Sequence, residues 1–199
     1  LETSLGKLRQ GMQAVIQAMT LVIELRDPYT AGHQRKVANL ARLIAQDLKL
    51  DRDRVDGIYM AGVVHDIGKV SVPTEILSKP AGLTDLELRL VRTHPEAGHG
   101  ILKGIDFPWP IARIILEHHE RLDGSGYPLG LSGEAIMLEA RIIAVADVVD
   151  AIASHRPYRP SLGLEQAMEE IGRHRGTLYD PPVVDACLRI CRKGGYRLS

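Results

Sequence analysis

The chain has 199 residues, 45% of them apolar, with 25 basic side chains set against 25 acidic ones. That length fits one domain of ordinary size with a substantial core. Zero net charge removes the electrostatic argument for a binder of nucleic-acid polymers, which carries a basic excess, but leaves room for a small anionic ligand met by a local charge cluster.

The first segment places Leu5, Leu8, Met12, Val15, Met19 and Val22 at alternating intervals of three and four. This is the seam of a coiled coil or an amphipathic helix. Two readings stand side by side: a helix packed on its own domain, and a helix that joins two copies into a homodimer. The chain begins at Leu1 rather than Met, so the segment is expected to be a signalling helix descending from an upstream sensory domain. The expected division is residues 1–26 for that helix and 27–199 for the main domain.

After Asp27-Pro28 the helical period resumes with Val37, Leu40, Ala41, Ile44 and Leu48 on one face. Asp51 or Asp53 can cap the next helix, which the pattern carries through Val55, Ile58, Tyr59 and Val63 to about Ile67, where Gly68 is placed to end it. Thr84 and Glu87 form a capping box ahead of Leu86, Leu90 and Val91, and Pro95 interrupts that pattern after His94. Pro108 and Pro110 launch a helix from Ile111 to about Arg121, followed by a glycine-rich loop from Asp123 to Gly133. The nearly all-apolar stretch from Ile142 to Ala153 reads as the buried centre, and helices follow around Leu164–Arg173 and Val183–Cys191. Cys187 and Cys191, the two cysteines, lie one turn apart on the last helix, which excludes a disulfide scaffold or thiolate zinc site and leaves two packing residues. No segment alternates strictly, so the fold class expected is all-α. No apolar run is long enough to span a bilayer and no secretory signal is visible, so a cytoplasmic location is expected.

Histidines and aspartates occur where a helical core should be apolar. His33 stands one turn before Val37. His65 and Asp66 interrupt Ala61-Gly62-Val63-Val64; His118 and His119 follow Ile114-Ile115-Leu116; Asp147 sits between Ala146 and Val148. An unpaired carboxylate buried there would cost several kcal/mol. Each residue alone is better read as a satisfied core group, but the recurrence of imidazole and carboxylate suits first-row divalent metals. A carboxylate can bridge two ions, and paired ions about 3.5–4 Å apart stabilise the attacking and leaving oxygens of phosphoryl transfer.

The run His65-Asp66-Ile67-Gly68-Lys69 resembles the signature of the HD phosphohydrolase superfamily. His118-His119-Glu120-Arg121-Leu122-Asp123-Gly124-Ser125-Gly126-Tyr127-Pro128 resembles the longer signature of its HD-GYP branch, the cyclic di-GMP phosphodiesterases. Asp27-Pro28-Tyr29-Thr30-Ala31-Gly32-His33 and Ala146-Asp147 with Arg156-Pro157-Tyr158-Arg159 agree, so the likeness runs from about Asp27 to Ile190. It implies an HD-domain helical bundle with His33, His65, Asp66, His94, His118, His119 and Asp147 as ligands of two divalent transition-metal ions. Iron or manganese are favoured, with nickel or zinc as alternatives. It implies Asp66 as the bridge, a metal-activated hydroxide as nucleophile, and hydrolysis of cyclic di-GMP or a related cyclic dinucleotide to linear pGpG. Lys69 and Arg156 would hold phosphates, Arg through its fork of donors and Lys as a point charge, with Lys69 close to the chemistry. Gly126, Tyr127 and Pro128 would shape one side of the pocket, a loop the family also links to diguanylate cyclase domains; a plain structural turn is the other reading.

The departures count too. Some members hold a third metal through a Glu four residues before the first His, where this chain has Tyr29; two metals, and slow release of GMP at most, are therefore expected. His155 replaces a frequent Asp and reads as a loop residue; His99 and His174 match no ligand position. Asp150, one turn beyond Asp147, is an orienting acceptor for a liganding His or a capping residue. The rivals to an active phosphodiesterase are a receptor that binds cyclic dinucleotide without turnover and an HD phosphohydrolase for another nucleotide.

Overall fold

The structure is a computed structural model that describes residues 18, 21, 32–154 and 162–194. Nine α-helices in the described residues 32–154 and 162–194 carry it: α1 His33–Asp47, α2 Arg52–Val64, α3 Thr74–Leu77, α4 Asp85–Val91, α5 His94–Leu102, α6 Ile111–Glu117, α7 Leu138–Ala153, α8 Gly163–Arg173 and α9 Pro181–Arg192. Short 3-10 turns occupy Ile67–Ser71 and Gly133–Ala135. No strand occurs among the described residues. The all-α expectation holds, and no helix of the described residues is long and apolar enough to cross a membrane.

The apolar face read for α1 is the buried one: Val37, Leu40, Ala41 and Ile44 are fully shielded, and Leu48 is half-buried. That face packs on α2 and α7. The α7 helix is the centre of the bundle, with Ile142, Ile143, Val145, Ala146 and Val149 buried and α1, α8, α9 and α6 against it. Of the two candidate caps for α2 it is Asp51 that serves, its carboxylate accepting from the Arg54 N–H at 2.9 Å. The capping box at α4 is complete: Glu87 N–H donates to Thr84 Oγ1, and Thr84 N–H donates to Glu87 at 2.7 Å. Cys187 and Cys191 are buried free thiols on α9.

Three boundaries differ from the sequence reading. The α2 helix stops at Val64, not Ile67, because the backbone turns at His65–Asp66 into the 3-10 segment. Gly68 therefore does not cap α2. A Cβ there would lie 1.8 Å from the His94 carbonyl oxygen and 2.5 Å from the Gly98 nitrogen; the missing side chain is what lets the 3-10 turn pack on α5. Pro95 does not simply break the α4 pattern: it occupies the first turn of α5, where a missing N–H costs nothing. The α6 helix ends at Glu117, so His118 and His119 fall on the turn beyond it. Residues 1–17, the boundary at 26/27, Tyr29, His155 and Arg156 lie outside the described residues.

Candidate metal centre

Four of the expected ligands meet at the start of α1, the end of α2 and the middle of α7. His33 Nε2 is 3.2 Å from Asp147 Oδ1 and 4.0 Å from Asp66 Oδ2. His65 Nε2 is 3.5 Å from Asp66 Oδ2 and 3.9 Å from Asp147 Oδ1. The second group comes from the first residue of α5 and the turn after α6: one donor atom each from His94, His118 and His119 lies within 4.8 Å of the others. His94 Nε2 and His118 Nε2 are 3.4 Å apart. Asp66 stands between the groups, with Oδ2 toward His33 and His65 and Oδ1 3.4 Å from His94 Nε2. The contact of Gly68 with the His94 backbone sets that spacing, since Asp66 is two residues from the glycine.

The imidazoles are aimed by hydrogen bonds at their far nitrogens. Nδ1–H of His65 donates to Gly62 O at 2.7 Å, that of His94 to Val91 O at 2.8 Å, and that of His118 to Ile115 O at 2.6 Å. All three acceptors sit three residues upstream, in the last turn of α2, α4 and α6, where helical carbonyls have no intrahelical partner. His33 Nδ1–H donates to Asp150 Oδ2 at 2.6 Å, so Asp150 is the orienting acceptor the sequence offered as one of its two roles. In a neutral ring bonding at Nδ1 leaves a lone pair on Nε2, and the Nε2 atoms of His65, His94 and His118 turn toward the same small volume. His65 Nε2 is buried without a hydrogen-bond partner, a state that costs roughly 1–3 kcal/mol.

Protonation follows from the surroundings. Burial, then the neighbouring imidazoles, pushes His118 down to about 3, and burial also lowers His94 and His119. These three are neutral donors. Burial opposes charge on His33 too, but the Asp147 and Asp150 carboxylates outweigh it and lift that ring to about 9. Burial would raise Asp66, yet Lys69 and the histidines hold its carboxyl well below the usual range; Asp147 is held low in the same sense, chiefly by His33 against burial. Neutral imidazoles at His94 and His118, the His65 ring, and a His33 ring that must shed its proton to serve as a ligand place their donor atoms 3.2–4.0 Å from one another or from the ionised carboxylates, a donor set that fits divalent cations. Bonds of about 2.0–2.2 Å to one ion put its ligand atoms roughly 3–3.5 Å apart. The residues fit two such ions, one per group, with Asp66 offering an oxygen to each.

The described residues expected in the site are thus largely gathered in one place. Lys69 Nζ donates to Asp66 Oδ2 at 2.7 Å, which puts its charge on the shared carboxylate. The glycine-rich loop walls the second group: Tyr127 stacks on His119 with ring centroids 4.8 Å apart and planes at 23°. Burial, with the Asp147 charge, keeps the phenol protonated. His99 stays half-buried and His174 pairs loosely with Glu170 at 3.6 Å, both away from the ligand set. Sequence reasoning gave no role to Glu120, a buried carboxylate that accepts from Leu129 N–H at 2.7 Å and Leu131 N–H at 3.0 Å. The one signal for it was a charged side chain directly after two candidate ligands, His118 and His119.

The chain is similar to known proteins in both sequence and fold. Residues 17–183 match the HD domain family. The chain is 42% identical over 188 residues to the cyclic di-GMP phosphodiesterase response regulator RpfG of Xanthomonas campestris pv. campestris, covering 94% of this chain and 50% of that one. It is 40% identical over 178 residues to a cyclic di-GMP phosphodiesterase of Thermotoga maritima (88% and 48%). It is 39% identical over 193 residues to 3'3'-cGAMP-specific phosphodiesterase 1 of Vibrio cholerae (96% and 44%). The chain thus spans about half the length of these relatives. In fold it is similar to a cyclic GMP-AMP specific phosphodiesterase of V. cholerae, with TM-score 0.70 at 16% identity over 92% of this chain and 49% of that one. It is also similar to the HD domain of the phosphodiesterase PgpH of L. monocytogenes, with TM-score 0.63 at 21% identity over 90% and 99%.

Proposed function

Because this chain belongs to the HD domain family, in its HD-GYP branch, we propose that it is a metal-dependent phosphodiesterase that opens cyclic di-GMP to linear pGpG. The observation that supports the reading is the pair of histidine groups facing one another across Asp66, whose two oxygens each address a different group. His33, His65, Asp66 and Asp147 would hold one ion, and His94, His118, His119 and Asp66 the other. Bound there, two divalent cations would neutralise charge on a phosphodiester and supply a nucleophile at neutral pH.

The remaining residues prepare that chemistry. Asp150 and the helix-end carbonyls fix the imidazoles in the tautomer that presents Nε2. Lys69, already at the shared carboxylate, and Arg156 are assigned to the substrate's phosphates, and the loop through Gly126, Tyr127 and Pro128 to one wall of its pocket. Cleavage stops mainly at pGpG in this reading, because the linear product brings an added terminal phosphate charge and Tyr29 offers no carboxylate for a third ion.

The test incubates manganese- or iron-loaded protein with cyclic di-GMP, 3'3'-cGAMP, cyclic di-AMP and a deoxynucleoside triphosphate, followed by chromatography over time. Accumulation of pGpG with little GMP is expected. Tight binding of cyclic di-GMP without turnover would replace the enzyme with a receptor. GMP forming as fast as cyclic di-GMP disappears would overturn the product assignment, and turnover confined to the triphosphate would overturn the substrate.

A further inference from the structure

Among the histidines of the centre, His119 is held differently. His33, His65, His94 and His118 each have Nδ1 tied to a carbonyl or carboxylate at 2.6–2.8 Å. No such bond reaches either ring nitrogen of His119 from the described residues. It is also less shielded than His94 and His118, being half-buried. A ligand ring with no orienting acceptor is free to turn about its side-chain torsions, and turning aims its lone pair away from the ion. Something else must fix it.

Three rings surround it. His118 lies 4.0 Å away, His94 4.9 Å at nearly a right angle, and Tyr127 stacks at 4.8 Å and 23°. The first two are fellow donors of the same group, so the Tyr127 ring is the face on which His119 rests. Tyr127 is held in turn. Its N–H donates to the His119 carbonyl at 3.3 Å, and the Arg92 guanidinium lies 5.3 Å from its ring centroid. The loop around it is folded back on the ligand segment: a Cβ at Gly126 would lie 2.4 Å from Glu120 Cα and from Arg121 N. That return path is fixed by one buried carboxylate, since Glu120 takes the Leu129 and Leu131 amides on separate oxygens.

We propose that Tyr127, with its loop pinned by Glu120, is a positioning residue that orients His119 by ring stacking in place of the hydrogen bond the other histidines use. The proposal rests on the binuclear reading above. It gives the aromatic ring, rather than the phenol hydroxyl, a defined task toward the second ion.

The discriminating variants follow from the chemistry. Tyr127→Phe keeps the stack and loses only the hydroxyl. Tyr127→Leu keeps an apolar side chain and loses the stack. Glu120→Gln turns one acceptor oxygen into a donor facing a backbone N–H, which releases one end of the loop. The measurement is Co2+ titration of metal-free protein, followed by the visible absorption of the bound ions, with circular dichroism recording the fold.

Wild type is expected to take two ions. Tyr127→Leu and Glu120→Gln are expected to bind the first normally and the second about 10- to 100-fold more weakly, with altered absorption for the second. Tyr127→Phe is expected to match wild type in both. Retention of a wild-type second site in Tyr127→Leu, or failure of Tyr127→Phe to restore it, overturns the proposal. Should Tyr127→Leu not fold, Glu120→Gln carries the same decision. Wild type binding fewer than two ions would instead remove the binuclear reading, and the proposal with it, whatever the variants do.

Discussion

Replacing Asp150 with Ala tests how the centre sets the state of its own ligands. Asp150 accepts from His33 Nδ1–H at 2.6 Å and from Ser154 Oγ–H at 3.0 Å. It also contributes, after burial and beside Asp147, to the balance that lifts His33 to about 9. A metal takes the neutral ring, so in wild type the proton competes with the ion at every pH below that value. Each unit below it costs a factor of about ten, or ~1.36 kcal/mol. At pH 7, two units below 9, wild-type affinity at this site is expected to sit about 100-fold under its alkaline ceiling. Asp150→Ala has two opposed effects. It removes the bond that orients His33, which lowers the ceiling about 10- to 100-fold, and it removes a carboxylate that favours the proton, so the ceiling is reached at lower pH. The two affinity curves should diverge as pH rises and converge as it falls. Anaerobic Mn2+ titrations at about pH 7.5, 8.5 and 9.5, spanning the change in His33 charge, measure this. Parallel curves would refute the competition argument, and equal affinity at the highest pH would refute the orienting role.

Asp66→Asn should empty both sites of metal by elemental analysis and lower turnover at least about 100-fold, equivalent to ~2.7 kcal/mol, because the shared ligand serves both groups; a variant that retains two ions would displace Asp66 from the bridge. Gly68→Ala drives a Cβ to 1.8 Å from the His94 carbonyl, and overpacking of this kind costs about 1–3 kcal/mol. Thermal melts should show a lower Tm together with a lower second-site occupancy, and a wild-type Tm would contradict the close packing. Lys69→Ala and Arg156→Ala should keep two ions per chain while weakening cyclic di-GMP binding by about 2–5 kcal/mol, read by calorimetry, and metal loss would make them supports of the centre instead.

The periodic features of the sequence carried the bundle well. Val37, Leu40, Ala41 and Ile44 are the buried face of α1, the α7 stretch is the core, and the Thr84–Glu87 pair caps as its spacing requires. What local pattern could not show were backbone contacts between segments distant in sequence. The Ile67 side of α2 continues an apolar period, but the chain turns there because Gly68 meets residue 94. Pro95 looked like an interruption because proline's role depends on which turn of a helix it occupies, and only the start of α5 at His94 decides that. His33, His65, His118 and His119 were legible as polar residues in apolar runs, whereas His94, followed at once by Pro95, came only from the family resemblance. Glu120 was not, because its partners are amides nine and eleven residues later, which carry no side-chain signal.

His65, His94 and His118 bond to carbonyls in the final turns of α2, α4 and α6, so three helices direct their C-terminal ends at one small volume. Each such end carries a partial negative charge from the aligned peptide dipoles, and Asp66 and Asp147 add full ones. Lys69 and the protonated His33 ring offset part of that charge, but the two ions proposed for the site would supply most of the positive charge a phosphate needs. On the proposed function an anionic substrate would be drawn in chiefly once the ions are bound, so the expected order is metal first, nucleotide second. In that order the degree of loading would gate substrate capture as well as cleavage, and metal-depleted protein should lose affinity for the nucleotide as well as turnover.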